Sequence, residues 1–355
     1  MAKFSYIVEF FDMMTNQEND EFHPNELRFS KDSPVIRCSS DDFEVFSQHL
    51  GSGGFGTVMK AKHIPTGALL AAKFQPIVFD PKSDEAKDPL TRARTYKLLK
   101  REINGLRKAE SPYVTAYYGI MMVEKFVVIC MEIMDYTASN LYKRMKLEND
   151  KTARFDEKAL SIIATNILKA LLYLKQEIHL LHRDVKPSNI LLNYQGDVKL
   201  SDLGLAVYLD TTTPMNVAAG TTIYMAPEIL DQPFGKNVKM EFNSQADLWS
   251  LGITLVEIAR FQHPYYNCIS MVEAIFSTLL GDPPILREDE GYTEDLLYLV
   301  NNCLIKDPTM RPRVERIVEM KLVKKFDDLD RNKEYMKKIG NPVYFNSITA
   351  KFTTI

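Results

Sequence analysis

Cysteine is scarce in this sequence of 355 residues, long apolar runs are missing, and neither sign of charge is in excess. The cysteines form no Cys-x-x-Cys pair and no zinc-like pattern with histidine. They are Cys38, Cys130, Cys268 and Cys303. Reduced thiols and a cytoplasmic or nuclear location are therefore expected. Because no stretch approaches about 18 consecutive apolar residues, no membrane insertion is expected either.

The charge balance gives no electrostatic reason to expect a nucleic-acid partner. Lysine and arginine number 44 against 47 acidic residues, for a formal net charge of −3. With 45% hydrophobic residues, the composition predicts a folded core rather than disorder. At roughly 100–200 residues per domain, the length predicts two structural units or one large bilobal domain.

The composition and hydrophobic pattern of the sequence change along the chain. Residues 1–42 are polar and are predicted to form a mobile N-terminal extension. Short β-like runs dominate about 43–133, helical patterns dominate about 136–325, and 326–355 form a polar tail. The fold class expected is α+β, with a small β-rich unit before a larger helical one.

Apolar spacing and turn residues predict individual elements within these units. The predicted strands are Val45–Leu50, Thr57–His63, Ala68–Phe74, Thr115–Met122 and Lys125–Met131. The predicted helices are Thr95–Lys108, Glu157–Gln176, Ser244–Arg260 and Met271–Leu280. The charged, proline-containing stretch Asp80–Arg94 is interpreted as a tolerated surface loop, with a regulatory insertion as the alternative.

A glycine-rich motif, GxGxxGxV, begins at Gly51 and ends at Val58. Such glycines allow a tight turn and bring backbone N–H groups against phosphate oxygens. Alone the pattern is weak, because many hairpin turns produce it. A dinucleotide-binding fold would need the motif to open a helix, whereas Thr57–His63 is predicted as a strand. The motif is therefore interpreted as a hairpin lid over phosphates.

A lysine ends the third predicted strand. Lys73 can hold phosphate oxygens as a point charge, and Glu102 on the next helix is its candidate anionic partner. Taken separately, a solvated lysine at a strand end and a charge on a helix face would explain both residues equally well.

The segment His182–Asn189 reads HRDVKPSN and precedes a predicted hairpin of strands 190–193 and 198–201. Phosphoryl transfer depends on positioning and charge neutralisation. Asp184 can accept a hydroxyl proton, and Lys186 can offset charge on the transferred group. Asn189 and Asp202 offer the oxygen ligands that Mg²⁺ prefers, and the hairpin would bring them together. A polar surface loop is the alternative interpretation.

Over Phe43–Lys325 the sequence resembles the protein-kinase signature. The motifs that carry this resemblance follow one another in the order GxGxxGxV, Lys73, Glu102, HRDVKPSN, Asp202-Leu203-Gly204 and Ala226-Pro227-Glu228. The resemblance implies a bilobal fold, ATP and Mg²⁺ as cofactors, Asp184 as catalytic base with Lys186 and Lys73, and Asn189 and Asp202 as metal ligands. It implies Met131 as the gatekeeper of a hinge. The implied nucleotide-binding residues are Leu50, Gly51, Ser52, Gly53, Gly54, Phe55, Gly56, Val58, Ala71, Lys73, Glu102, Met131, Glu132, Met134 and Leu191.

The resemblance also implies structural roles for residues outside the nucleotide site. Glu228 would pair with Arg311, and Asp247 would anchor the catalytic loop from beneath. Thr221 could bridge Asp184 and Lys186. The middle residue of the usual Asp-Phe-Gly is Leu203 here, an apolar packing element whose change leaves the chemistry intact.

Within the kinases, segments such as HRDVKPSNILLN and the run ICMEIMD (129–135) look like the MAP kinase kinases. This implies a MAP kinase as protein substrate, phosphorylated on Thr and Tyr, and an upstream activating kinase. The family's pair of activating phosphorylation positions falls on Thr212 and Asn216, with Thr211 and Thr213 as alternative acceptors. Activation by one phosphate, which would pair with Arg183, and constitutive activity both stay open.

Residues 1–42 lack the basic cluster with which such kinases usually dock a MAP kinase. Lys337 and Lys338, followed by Val343-Tyr344-Phe345, form a hypothetical displaced docking site, with Gly340 and Pro342 favouring an extended backbone. An ordinary polar tail is the alternative. For the whole chain, the alternatives are another serine/threonine kinase of the sterile-20-like group and a catalytically idle kinase-fold adaptor.

Overall fold

The computed structural model describes residues 24–53, 56–76, 99–100, 102–148, 154–208, 222–231 and 243–340. The chain divides into two compact units. The first comprises the chain up to Glu110 together with Thr115–Met134, and the second comprises Ser111–Val114 and the chain from Asp135 onward. Among the described residues, no helix combines the length and apolar composition that crossing a bilayer requires.

The first unit contains a seven-stranded antiparallel sheet in the described part of the chain, with the order β2-β1-β6-β7-β5-β4-β3. Its strands are β1 (Glu26–Leu27), β2 (Ile36–Arg37), β3 (Phe43–Gly53), β4 (Gly56–His63), β5 (Leu69–Pro76), β6 (Tyr117–Val123) and β7 (Phe126–Met131). A helix, α1, is described over 99–100 and 102–108. The five strands predicted from the sequence are confirmed, with bounds that shift by a few residues.

The expectation of a mobile extension is wrong for residues 24–42. This segment forms the β1–β2 hairpin, which pairs with β6 at the edge of the sheet. Leu27 is fully buried, and the ring of Phe29 packs edge-on against Tyr118 with centroids 5.0 Å apart. Strands of two residues are too short to show an alternating pattern, so the only signal from this segment was its polar composition. Residues 1–23 lie outside the described residues.

The two faces of the sheet have different roles. Cross-strand partners share a face, so the pairs Val58–Lys73 and Ala71–Met131 place four predicted nucleotide-binding residues on one side, here called the inner face. On the other side, the outer face, Leu70, Ala72, Val128 and Cys130 form an apolar cluster with residues of the hairpin. The hairpin thus covers the outer face, and the inner face is left for α1 and the site.

The second unit is mainly helical in its described part, which confirms the α+β class. Its helices are α2 (Ala138–Glu148), α3 (Glu157–Gln176), α4 (Pro227–Leu230), α5 (Asn243–Arg260), α6 (Met271–Leu280), α7 (Glu294–Cys303), α8 (Val314–Ile317), α9 (Lys321–Lys325) and α10 (Leu329–Gly340). Its strands are β8 (Tyr136–Thr137), β9 (Leu180–Leu181), β10 (Ile190–Leu192), β11 (Val198–Leu200) and β12 (Val207–Tyr208).

Helix α3 forms where the sequence predicts it, with the same bounds. Asp156 caps its N-terminus by accepting a hydrogen bond from the backbone N–H of Ala159 at 2.7 Å. The predicted apolar face is buried, and it consists of Leu160, Ile163, Ile167, Leu171 and Leu174. Periodicity and a cap therefore suffice to define this central helix.

The tail up to Gly340, where the described residues end, is helical and not extended as the docking hypothesis requires. Lys337, Lys338 and Gly340 belong to α10, which packs on the helical unit. Lys333 of α10 forms an ion pair of 2.8 Å with Asp197, and the Tyr335 hydroxyl donates to Asp156 at 2.9 Å. The rest of the tail, residues 341–355, lies outside the described residues, and so do its members Pro342 and Val343-Tyr344-Phe345. The predicted loop 80–94 lies outside them as well.

We predict that Gly119→Ala lowers the free energy of unfolding by roughly 2–4 kcal/mol. Gly119 has a φ of +153°, and a Cβ there would overlap the carbonyl oxygen of Glu26 in β1. Gly67→Ala is the matched control, because Gly67 also has a positive φ of +71° but has open space around it. Chemical denaturation of both variants checks this; equal losses would contradict the packing of the hairpin on β6.

Candidate active site

The predicted partners Lys73 and Glu102 form a buried ion pair in the first unit. Nζ of Lys73 lies 2.6 Å from Oε1 of Glu102, and the exposed fractions of the two side chains are 7% and 3%. Lys73 extends from the inner face of β5, and Glu102 lies on α1. The side chains are separated by 29 positions in sequence, so only the packing of α1 on the sheet brings them together.

The glycine motif turns from β3 into β4, as the hairpin interpretation predicts. Gly51 and Val58 are cross-strand partners, and Leu50 lies in β3 beside them. Gly56 has a φ of +137°, and a Cβ there would overlap the carbonyl oxygen of Phe74 in β5. Of the remaining motif positions, Ser52 and Gly53 belong to β3, whereas Gly54 and Phe55 lie outside the described residues.

The segment predicted as a hinge follows β7 at the end of the first unit. Met131 is the last residue of β7. The backbone N–H of Glu132 donates to the carbonyl oxygen of Ala116 at 2.8 Å, and its side chain accepts from the N–H of Ala116 at 3.1 Å. These reciprocal bonds fix the chain direction ahead of Met134, which is buried.

In the second unit, HRDVKPSN folds around the carboxylate of Asp184. Oδ2 of Asp184 accepts from Nζ of Lys186 at 2.8 Å and from Nδ2 of Asn189 at 2.9 Å. Oδ1 is buried and has no hydrogen-bond partner among the described residues. A buried carboxylate oxygen without a donor is costly, so this atom is suited to a group that the substrate would bring.

Two residues with strained backbone lie in this region, one in the loop and one just after β11. Arg183 has a φ of +64°, which a non-glycine residue adopts only when its surroundings hold it there. Nδ1 of His182 lies 3.2 Å from the backbone N–H of Asp184, and Nε2 lies 2.9 Å from the carbonyl oxygen of Ser201. These partners require Nδ1 to accept and Nε2 to donate, which assigns one imidazole tautomer. Asp202 is the second strained residue, with a φ of +67°.

The loop is anchored from below by Asp247 of α5, as the sequence predicts. Its two carboxylate oxygens accept from the backbone N–H groups of His182 at 2.9 Å and Arg183 at 2.7 Å. Burial raises the pKa of the Asp247 carboxyl, although His182 and the two N–H donors act in the opposite direction. The carboxylate compensates the strain at Arg183 by bonding directly to that residue.

The β10–β11 hairpin brings the two predicted metal ligands close in the structure. Ser201, directly before Asp202, donates through its backbone N–H to the carbonyl oxygen of Asn189 at 2.9 Å. Because the amide nitrogen of Asn189 is engaged by Asp184, its amide oxygen is the atom that can serve a cation. The carboxylate of Asp202 and the amide oxygen of Asn189 are oxygen ligands of the kind that Mg²⁺ prefers.

The remaining predicted nucleotide-binding residue, Leu191, lies in β10 and pairs with Thr137 and Lys199. The predicted phosphorylation positions Thr211, Thr212 and Thr213, the mismatched Asn216 and the bridging residue Thr221 lie outside the described residues.

The predicted pair of Glu228 and Arg311 is confirmed as a buried, bidentate ion pair. The guanidinium of Arg311 donates from one nitrogen to Oε1 at 2.7 Å and from the other to Oε2 at 3.0 Å. Arg311 also donates to backbone carbonyls, including that of Gln245 at 2.9 Å. This pair fixes α4 against the base of α5.

Sequence reasoning missed two buried, hydrogen-bonded groups, one in each unit. Glu257 of α5 accepts from the hydroxyls of Tyr142 and Tyr224, each at 2.6 Å, and burial raises the pKa of its carboxyl. Gln75 of β5 donates to Glu102 at 2.7 Å. The sequence did contain one indication for Gln75. It lies two residues after Lys73, and alternate residues of a strand lie on the same face.

Comparison with known proteins places these observations in a family. The profile described as "Protein kinase domain" matches residues 45–323. The chain is 32% identical to the dual specificity mitogen-activated protein kinase kinase sek-1 of Caenorhabditis elegans, over 83% of this chain and 82% of that protein. The chain belongs to the protein kinases and, among them, to the MAP kinase kinases.

Two further relatives agree with this assignment. The chain is 33% identical to the human dual specificity mitogen-activated protein kinase kinase 7, over 82% of this chain and 67% of that protein. It is also 33% identical to the MAP kinase kinase mkk-4 of C. elegans, over 82% of this chain and 76% of that protein. As a protein kinase it uses ATP, and the family resemblance stated from the motifs is confirmed.

We predict that Arg311→Met destabilises the kinase by about 3–5 kcal/mol, because it leaves the Glu228 carboxylate buried without its cation. Lys321→Met is the matched control, since Lys321 pairs with Asp295 at the surface, where ion pairs contribute little. Denaturant unfolding of both variants measures the difference. A loss for Arg311→Met no larger than that for Lys321→Met would contradict the role of the buried pair.

Proposed function

We propose that this kinase transfers the γ-phosphoryl group of ATP to the activation-loop Thr and Tyr of a MAP kinase. The observation that supports the chemistry most directly is the buried Oδ1 of Asp184, beside Lys186 and Asn189, which has no hydrogen-bond partner in the described part of the chain. Support for the substrate comes from the relatives, two of which are named as dual-specificity mitogen-activated protein kinase kinases.

In the proposed reaction, Asp184 accepts the proton of the attacking Thr or Tyr hydroxyl. The hydroxyl oxygen forms a bond to the γ-phosphorus as the bond to the β–γ bridging oxygen breaks, and ADP leaves. Lys186, held 2.8 Å from Asp184, offsets charge on the transferred group. Lys73, aligned by Glu102, holds phosphate oxygens of ATP.

Asn189 and Asp202 would hold Mg²⁺ in this proposal. The bound cation would neutralise phosphate charge. The protein's own part is to place these oxygen ligands on one hairpin, next to the base. The bond between Ser201 and Asn189 keeps the two ligand-bearing segments together.

Control by an upstream kinase follows from the same assignment. Thr212, with Thr211 and Thr213 as alternatives, is the proposed acceptor, and its phosphate would pair with Arg183. One phosphate would then suffice, because Asn216 occupies the second position of the family pattern. We also propose a cytoplasmic or nuclear location, which the four free cysteine thiols support.

Incubation with Mg²⁺-ATP and a catalytically inactive MAP kinase is expected to yield phosphothreonine and phosphotyrosine in the substrate's activation loop. Asp184→Asn and Lys73→Met are expected to abolish this transfer, because the first removes the base and the second removes the phosphate-binding charge. Mass spectrometric mapping of the phosphates checks both expectations.

The alternatives give different outcomes in the same assay. Phosphate on a generic protein substrate but not on the MAP kinase would support another serine/threonine kinase. No transfer at all, with Asp184→Asn indistinguishable from wild type, would support an idle adaptor and refute the proposal. Lys321→Met serves as a control that leaves the loop and the ion pair intact.

A further inference from the structure

Gln75 is a buried amide on the inner face of β5, and it shares the carboxylate of Glu102 with Lys73. Its Nε2 donates to Oε2 of Glu102 at 2.7 Å, whereas Lys73 donates to Oε1 at 2.6 Å. The exposed fractions of Gln75 and Glu102 are 6% and 2%. Both oxygens of a single buried carboxylate are thus bonded to one strand.

The chemistry of the pair fixes how the amide is oriented. A carboxylate is only an acceptor, so the nitrogen of the Gln75 amide must face it. A hydrogen bond to an ionised group is stronger than one between neutral groups. Without Gln75, Oε2 of Glu102 would lose this donor inside the unit, where an unsatisfied charged oxygen is costly.

Two donors on alternate residues of one strand restrict the carboxylate more than one does. A single Lys73–Glu102 contact leaves the carboxylate able to rotate about its bond to the lysine. The second contact, from Gln75, fixes the plane of the group and therefore the side of α1 that faces β5. Lys73 and Gln75 lie on the same face because side chains alternate along a strand.

Gln75 also packs against the end of the glycine motif. A Cβ built on Gly56 would lie 3.3 Å from Cγ of Gln75, so the stem of this side chain lies close beneath Gly56. Gln75 thus lies in the same strand as Lys73, donates a hydrogen bond to Glu102 on α1, and packs close to Gly56 of the glycine motif.

We propose that Gln75 is a positioning residue that holds Glu102 in the orientation needed to align Lys73 with ATP. This inference rests on the proposed role of Lys73 at the phosphates. The contact is formed within the first unit and involves no phosphorylated residue. Gln75 would thereby orient Glu102 and Lys73 before any activating phosphate is added.

The direct test is Gln75→Met, which keeps the length of the side chain and removes the donor. We expect kcat/KM for ATP of the unphosphorylated enzyme to fall about tenfold or more, and the affinity for a non-hydrolysable ATP analogue to fall with it. Gln245→Met is the matched control. Gln245 is equally buried and donates to the carbonyl oxygen of Pro308, remote in sequence from Glu102, and its replacement should leave both quantities near wild type.

A double-mutant cycle separates positioning from a general loss of packing. In a Glu102→Ala background there is no carboxylate to hold, so Gln75→Met should cause no further loss of analogue affinity. Independent, additive losses would overturn the proposal, as would unchanged kinetics and affinity in Gln75→Met. Calorimetric titration of the analogue gives the affinities for all four proteins of the cycle.

A second variant covers the case in which Gln75→Met does not fold. Gln75→Asn keeps the amide but shortens the side chain by one methylene, so it is expected to lose the bond to Glu102. Its affinity for the ATP analogue should fall by the same factor as that of Gln75→Met. Affinity near that of the wild type in Gln75→Asn would overturn the proposal. The two measurements also distinguish failure of the proposed function from failure of this inference. A wild-type protein that binds the analogue but phosphorylates no MAP kinase would refute the proposed function. The analogue affinities of the variants would still decide the role of Gln75.

Discussion

Both units depend on buried carboxylates whose two oxygens are each bonded to a donor from another segment. Glu102 is held by Lys73 and Gln75, and Asp247 by the backbone of His182 and Arg183. In the same way Glu228 is held by Arg311, and Glu257 by Tyr142 and Tyr224. A buried acid costs free energy unless it is satisfied, so each one specifies a single arrangement of the segments around it.

Asp184 departs from this pattern. Its Oδ2 has two donors, but its Oδ1 has no partner among the described residues although it is buried. The surrounding loop is held by Asp247 and by the His182–Ser201 contact, and Lys186 and Asn189 hold Oδ2 of the carboxylate in place. A rigid acid with one unused acceptor is suited to receive a proton from a substrate, and the satisfied acids nearby provide that rigidity.

Several parts of the fold and site could be predicted because their signals are local. The apolar period and the Asp156 cap define α3, and the turn and strand residues define β3 to β7. The β1–β2 hairpin could not be predicted in this way, since two-residue strands carry no alternation and Leu27 is buried only by pairing with β6. The same holds for α10, whose contacts to Asp197 and Asp156 come from distant segments.

The sequence by itself determined the family, the residue types of the chemistry and the order of the motifs, because HRDVKPSN and GxGxxGxV are short and their spacing is specific. Tertiary structure decided which donors meet which carboxylates. Glu102 could be proposed from the sequence as the anionic partner of Lys73, but only the packing of α1 on β5 showed that Gln75 shares Glu102. Hydrogen bonds require atoms within about 3 Å, and residues so far apart in sequence reach that distance only in the folded unit.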